Sequence, residues 1–99
     1  MIRHIFMGTF KTGLSEGIKQ KLLSDMKEMK EKIPGIVTLE AGFSTGWTGK
    51  ENQILVTADV KTKENFDAYM AHPYHRDYIT KTAEEYLEPY SFVFTQFIY

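Results

Sequence analysis

Tyr90-Ser91-Phe92-Val93-Phe94-Thr95-Gln96-Phe97-Ile98-Tyr99 is the stretch that decides how this chain folds. Almost every residue in it is aromatic or β-branched, the composition of a strand. Side chains alternate between the two faces of a strand. Phe92 and Phe94 therefore fall on one side, and Val93, Phe97 and Tyr99 on the other. A strand with large apolar groups on both faces needs cover on both.

The opening segment reads the same way. From Ile2 to Phe10, Ile2, His4, Phe6 and Phe10 share one face, and Ile5 and Met7 share the other. Lys11-Thr12-Gly13 breaks the strand. Ser15 then sits where a helix N-cap belongs. Ile18, Leu22, Met26, Met29 and Ile33 follow at helical spacing, with lysines and glutamates between them, which predicts an amphipathic helix. Pro34-Gly35 stops it.

Two strands come next, Ile36 to Thr45 and Gln53 to Val60, joined by the polar loop Gly46 to Asn52 with Trp47 in it. Thr62 can cap a short helix that carries Phe66, Tyr69 and Met70 on one side. Pro73 interrupts that helix. A further helix follows, with Tyr78, Ile79, Thr82, Tyr86 and Leu87 roughly on one face, until Pro89 ends it.

The order is β-α-β-β-α-β, with the second helical region split in two. This is the ferredoxin-like α+β order, in one domain spanning residues 1–99. Two helical regions cover one face of a four-stranded sheet. The other face would leave an apolar patch that soluble monomers seldom carry. A second copy laid sheet to sheet covers it. The expectation is a homodimer, a dimeric α+β barrel whose sheets enclose a space that His4 lines.

Composition narrows the function. Twelve basic and thirteen acidic residues nearly cancel, so no charge excess points to nucleic acid. There is no cysteine, which removes disulfides, thiolate metal sites and a cysteine nucleophile. No segment reads as a signal peptide or a bilayer span, so no membrane partner is expected and the cytoplasm is the default address. Gly42, Gly46 and Gly49 form no phosphate-cradling loop, and no cofactor motif is present.

The three histidines are His4, His72 and His75. Histidine moves protons near neutral pH. A bend at Pro73 would bring His75 close to Tyr69, giving a general base beside a hydrogen-bond donor. Each residue also has a plainer reading. His4 is a packed strand residue, His72 a cap at the Pro73 break, Tyr69 a core aromatic, and His75 a polar lining group. His72 and His75 are three residues apart, but the proline between them disturbs the register a metal would need. No metal is expected.

Several of these segments resemble the stress-responsive α/β-barrel (Dabb) family. The opening Met1-Ile2-Arg3-His4-Ile5 is similar to that family's histidine-bearing first strand. Phe66-Asp67-Ala68-Tyr69-Met70-Ala71-His72-Pro73-Tyr74-His75 is similar to its tyrosine followed by His-Pro-x-His. Ile33-Pro34-Gly35-Ile36 and the Glu88-Pro89 break before Tyr90-Ser91-Phe92-Val93 match as well. Tyr74 departs from the small residue usual between the two histidines, and the Trp47 loop departs from a longer acidic one. The resemblance implies the dimeric barrel and no single activity.

One plant member of that family, olivetolic acid cyclase, closes a polyketide with a tyrosine and a histidine of this segment. Two expectations follow for this chain. It is a homodimer whose interior cavity binds a small apolar or aromatic ligand, in a family tied by name to stress. Alternatively it is a cofactor-independent acid-base enzyme, similar to polyketide cyclases or isomerases, acting on a small carbonyl compound. His75, Tyr69 and His4 are its candidate catalytic residues. A cofactorless monooxygenase is a further option, because related barrels include such enzymes.

Overall fold

The computed structural model describes all 99 residues, Met1 to Tyr99. Four strands, β1 (Ile2–Thr9), β2 (Ile36–Phe43), β3 (Gln53–Val60) and β4 (Val93–Ile98), form one antiparallel sheet in the order β2-β3-β1-β4. Helix α1 (Glu16–Lys32) joins β1 to β2. Helix α2 (Lys63–Ala71), a π-helical turn (Tyr74–Ile79) and α3 (Thr80–Tyr86) join β3 to β4. The fold is ferredoxin-like, with β1 and β3 central. No helix is long and apolar enough to cross a membrane.

Both expected caps form. Ser15 Oγ accepts from the Ile18 amide at 3.2 Å, and Thr62 Oγ1 accepts from the Asn65 amide at 3.1 Å. Leu22, Met26, Met29 and Ile33 are buried against the sheet, as their spacing requires. α1 stops where Gly35 turns the chain at a φ of +91°, a conformation that favours glycine.

Register sorts every strand residue onto a face. Ile2, His4, Phe6 and Gly8 of β1 stand opposite Val60, Ala58, Val56 and Ile54 of β3, all under the helices. Arg3, Ile5 and Met7 stand opposite Asp59, Thr57 and Leu55 on the open side. β4 adds Phe97, Thr95 and Val93 to that open side. No helix of the protomer covers it; Asp59 is buried there beneath Arg3 and Thr38, and Phe97 is 47% exposed. The apolar face read from the sequence is real.

Two segments differ from expectation. β4 begins at Val93, because Pro89–Ser91 makes a single 3-10 turn in which Ser91 Oγ accepts from the Thr9 amide. In the second helical region Ile79, Ala83 and Leu87 are buried, whereas Tyr78 is exposed. The wider π turn rotates the following residues away from ordinary helical phase. As expected, α2 does not run through Pro73. It ends at Ala71, with His72 as its cap.

Candidate functional site

The Pro73 break turns the chain so that His75 meets the side of α2. The Tyr69 ring lies 5.0 Å from the His75 ring, edge to face, and 5.9 Å from the His4 ring in the same manner. Tyr69 thus stands between two imidazoles brought from β1 and the π turn. All three line one cavity between the sheet and the helices. The sequence reading puts His4 in the space between two sheets, and the structure puts it on the other face. Its position in register with Ala58 puts it on the helix side.

Hydrogen bonding fixes the state of His75. Its Nδ1 lies 3.2 Å from the Met70 carbonyl oxygen. A carbonyl only accepts, so Nδ1 carries the proton and Nε2 keeps a lone pair. No group of the protomer bonds that Nε2. The π turn holds the residue in place, because the His75 carbonyl accepts from both the amide and the hydroxyl of Thr80, the latter at 2.9 Å. Burial lowers the His75 pKa; the bond to the Met70 carbonyl works against this, and His4 and His72 add to the lowering. The lowering favours the neutral ring near pH 7.

Tyr69 is the complement. It is 2% exposed, and its hydroxyl reaches only the Met29 sulfur, at 3.9 Å. A thioether is a weak acceptor. Burial alone pushes the phenol pKa well up, so the group is a proton donor rather than a phenolate. His4 is buried too and also lowered by desolvation. Its Nδ1 meets Gln96 Oε1 at 3.2 Å across the β1–β4 pair.

The rest of the wall is apolar. Phe6, Phe92 and Phe94 pack in contact along the sheet, with centroids 5.1 to 5.6 Å apart. Met26 and Met29 come from α1, and Ile79 and Ala83 from the second helical region. Phe94 is 59% exposed and marks the mouth, at the edge strand. The cavity measures about 40 Å³. That is room for roughly three waters, far below the ~300 Å³ of a pocket for a whole drug-sized ligand. It admits the polar end of a compound. A larger body has to lie along Phe94 or displace it.

The remaining candidates separate cleanly. His72 Nδ1 accepts from the Tyr74 amide at 3.1 Å, so His72 is the cap at the proline break. No three His, Asp or Glu side chains converge as metal ligands. Trp47 is 87% exposed and packs on nothing at the base of its loop. Tyr74, the departure from the family motif, does not plug the mouth. It turns to α1 and donates to the Asp25 carbonyl at 2.9 Å. Sequence reasoning missed Gln96 and Thr80. Antiparallel pairing of the first and last strands could have found Gln96, whereas the π register hid Thr80.

The model of the stress-responsive A/B barrel domain family matches residues 2–94. The chain belongs to this family. No curated protein matches the sequence. Among solved structures, this A/B barrel chain is similar to a dimeric ferredoxin-like protein of unknown function from Thermobifida fusca. The identity is 22% and the TM-score 0.84, over 99% of this chain and 90% of that one. It is similar to a Dabb-family protein from Mesorhizobium loti, at 17% identity and a TM-score of 0.81, over 99% and 95% of the two chains. It is also similar to the hydroxynitrile lyase of Passiflora edulis, at 16% identity and a TM-score of 0.83, over 99% and 92%. At these identities the likeness establishes the fold of the A/B barrel chain.

Proposed function

We propose that this A/B barrel protein is a homodimer that binds the oxygen-bearing end of a small, neutral, largely apolar compound between Tyr69 and His75. The observation that carries the reading is a mismatch inside the cavity. A buried hydroxyl has only a sulfur to bond, and a neighbouring imidazole nitrogen has nothing. The Tyr69 phenol is buried with only a weak acceptor, and the imidazole nitrogen of the half-buried His75 is no buried orphan but stays open to a ligand. A ligand that accepts from Tyr69 and donates to His75 completes both. Carboxylates are disfavoured, because no lysine or arginine lines the cavity. The open sheet face, with Ile5, Met7, Leu55, Val93 and Phe97, supports the second copy, as do similar structures described as dimeric.

A second reading rests on the His75 tautomer. A neutral base beside a neutral donor suits proton abstraction next to a carbonyl, with Tyr69 holding the oxygen as charge builds on it. The hydroxynitrile lyase of similar fold supports the reading only in that this architecture carries an enzyme in that protein.

The test is a thermal-shift panel of small ketones, phenols and β-keto esters beside matched hydrocarbons and carboxylates. Compounds with a neutral oxygen are expected to raise the melting temperature in a dose-dependent way. Equal shifts from the hydrocarbons, or none from any compound, would remove the proposal.

A further inference from the structure

The open sheet face carries one ion pair, and its position is informative. Arg3 and Asp59 are cross-strand partners on the two central strands. Arg3 Nε lies 2.8 Å from Oδ1, and Nη2 lies 3.0 Å from Oδ2. Thr38 on β2 donates to the same carboxylate at 2.6 Å. Tyr99 lies beneath the guanidinium, 5.1 Å from ring centroid to Cζ. Arg3 Nη1 bonds nothing in the protomer, so part of the donor fork is unused. The rest of the central open face is Ile5, Met7, Leu55 and Thr57, which offer that fork no acceptor comparable to a carboxylate.

The strand order β2-β3-β1-β4 puts the midline of the sheet between β3 and β1. Arg3 and Asp59 straddle that midline. Consider a second sheet laid face to face by a two-fold axis that runs along it, parallel to the strands. β1 of each copy then lies over β3 of the other, with the rows still in step. Arg3 stands over the second copy's Asp59, and its own Asp59 stands under the second copy's Arg3. Packed sheets are about 10 Å apart, a gap that an arginine on one side and a carboxylate on the other can bridge. Met7 and Leu55 are also row partners, so the same operation stacks them on each other. A two-fold axis across the strands instead sends Arg3 to the far end of the opposing strand, away from any Asp59.

We propose that Arg3 and Asp59 of two copies close into a ring of four alternating charges on this axis, and that the ring selects a second copy of this chain, in this orientation, as the partner. The inference rests on the dimer reading above and names the residues that decide the pairing. A desolvated pair of this kind contributes more to specificity than to raw affinity. Glu40 also lies on the open face but on the edge strand β2, off the midline, and takes no part in the ring.

Two charge reversals separate contacts across the axis from contacts within a protomer. Arg3→Glu alone puts four negative charges around the axis, and Asp59→Arg alone puts four positive ones. Each variant is expected to dimerise roughly tenfold or more weakly than the unaltered protein, because like charges are forced together. An equal mixture of the two restores attraction only between copies, since each protomer keeps its internal clash. Native mass spectrometry of the mixture should show heterodimers well above the half expected by chance. The double variant Arg3→Glu/Asp59→Arg, with both pairs restored, should dimerise like the original and shows that the reversals are compatible with folding. Undiminished dimerisation of either single variant, or a random distribution in the mixture, would overturn the ring. An unaltered protein that is monomeric at micromolar concentration would instead overturn the dimer on which it rests.

Discussion

His75→Ala is expected to weaken binding of a phenol, whose hydroxyl donates to Nε2, by about tenfold, the worth of one hydrogen bond. If the cavity turns over a substrate, the same change should lower turnover by roughly two to four orders of magnitude, the usual share of a positioned base. The fold should survive with a modest loss. The Met70 carbonyl at the end of α2 gives up its bond from Nδ1, and that costs about 1 kcal/mol. Tyr69→Phe makes a cleaner companion. Its hydroxyl bonds only the Met29 sulfur, so its removal should leave the melting temperature nearly unchanged. Affinity for compounds with an acceptor oxygen should fall, while affinity for matched hydrocarbons should not. Melting temperature and affinity are read on the same samples. A large fall in melting temperature with intact affinity would make both residues structural.

Leu87→Ala is expected to be the most damaging single truncation away from the site. Leu87 is fully buried, just beyond α3, and bridges to Phe10. It fills the space that Gly8 leaves open on β1, where an added Cβ would stand 2.8 Å from its Cδ1. A cost of about 2–5 kcal/mol follows, against a total of ~5–15 kcal/mol for a domain of this size. The melting temperature should drop by roughly 10 °C or more. Urea denaturation of the variant and the parent measures it. A loss below about 1 kcal/mol would mean that this end of the core relaxes freely.

The architecture was legible because its signals were periodic. Ile18 to Ile33 at helical spacing, Ile54 to Val60 at period two, and the caps at Ser15 and Thr62 all agree with the structure. The double apolar faces of β1 and β4 were legible for the same reason. The side of the sheet on which the site lies was misread. Alternation says that His4 and Ile5 face opposite ways. It does not say which way the helices lie. The Tyr69–His75 pairing was foreseen from the break at Pro73. The π turn that completes it was not, since nothing in Tyr74-His75-Arg76-Asp77 distinguishes π from α spacing.

Asp25 shows a different limit. Its place on an amphipathic helix rich in lysine and glutamate suits a solvated charge, yet it is buried, with Tyr78 donating to it at 2.6 Å and Lys21 paired at 3.0 Å. Only the packing of the π turn against α1 makes it so. The narrowness of the cavity, set by Phe6, Phe92 and Phe94, likewise depends on rotamers that a sequence does not specify.

The central claim is that His75 is a neutral base with Nδ1 protonated and Nε2 open to the cavity. Long-range nitrogen-proton NMR on protein labelled at histidine nitrogen reads tautomer and titration for His4, His72 and His75 separately. His75 should show the Nδ1-protonated tautomer at pH 7 and take up its proton below the ordinary histidine value of about 6.5. The unfolded chain then takes up protons that the folded one refuses. Stability should therefore be level above about pH 6.5 and fall as the pH drops from there toward the folded values of His75 and His4. A bound phenol, donating to Nε2, should shift the His75 Nε2 resonance and leave that of His72 in place. A His75 that carries its proton on Nε2, or titrates like a free imidazole, would contradict the account.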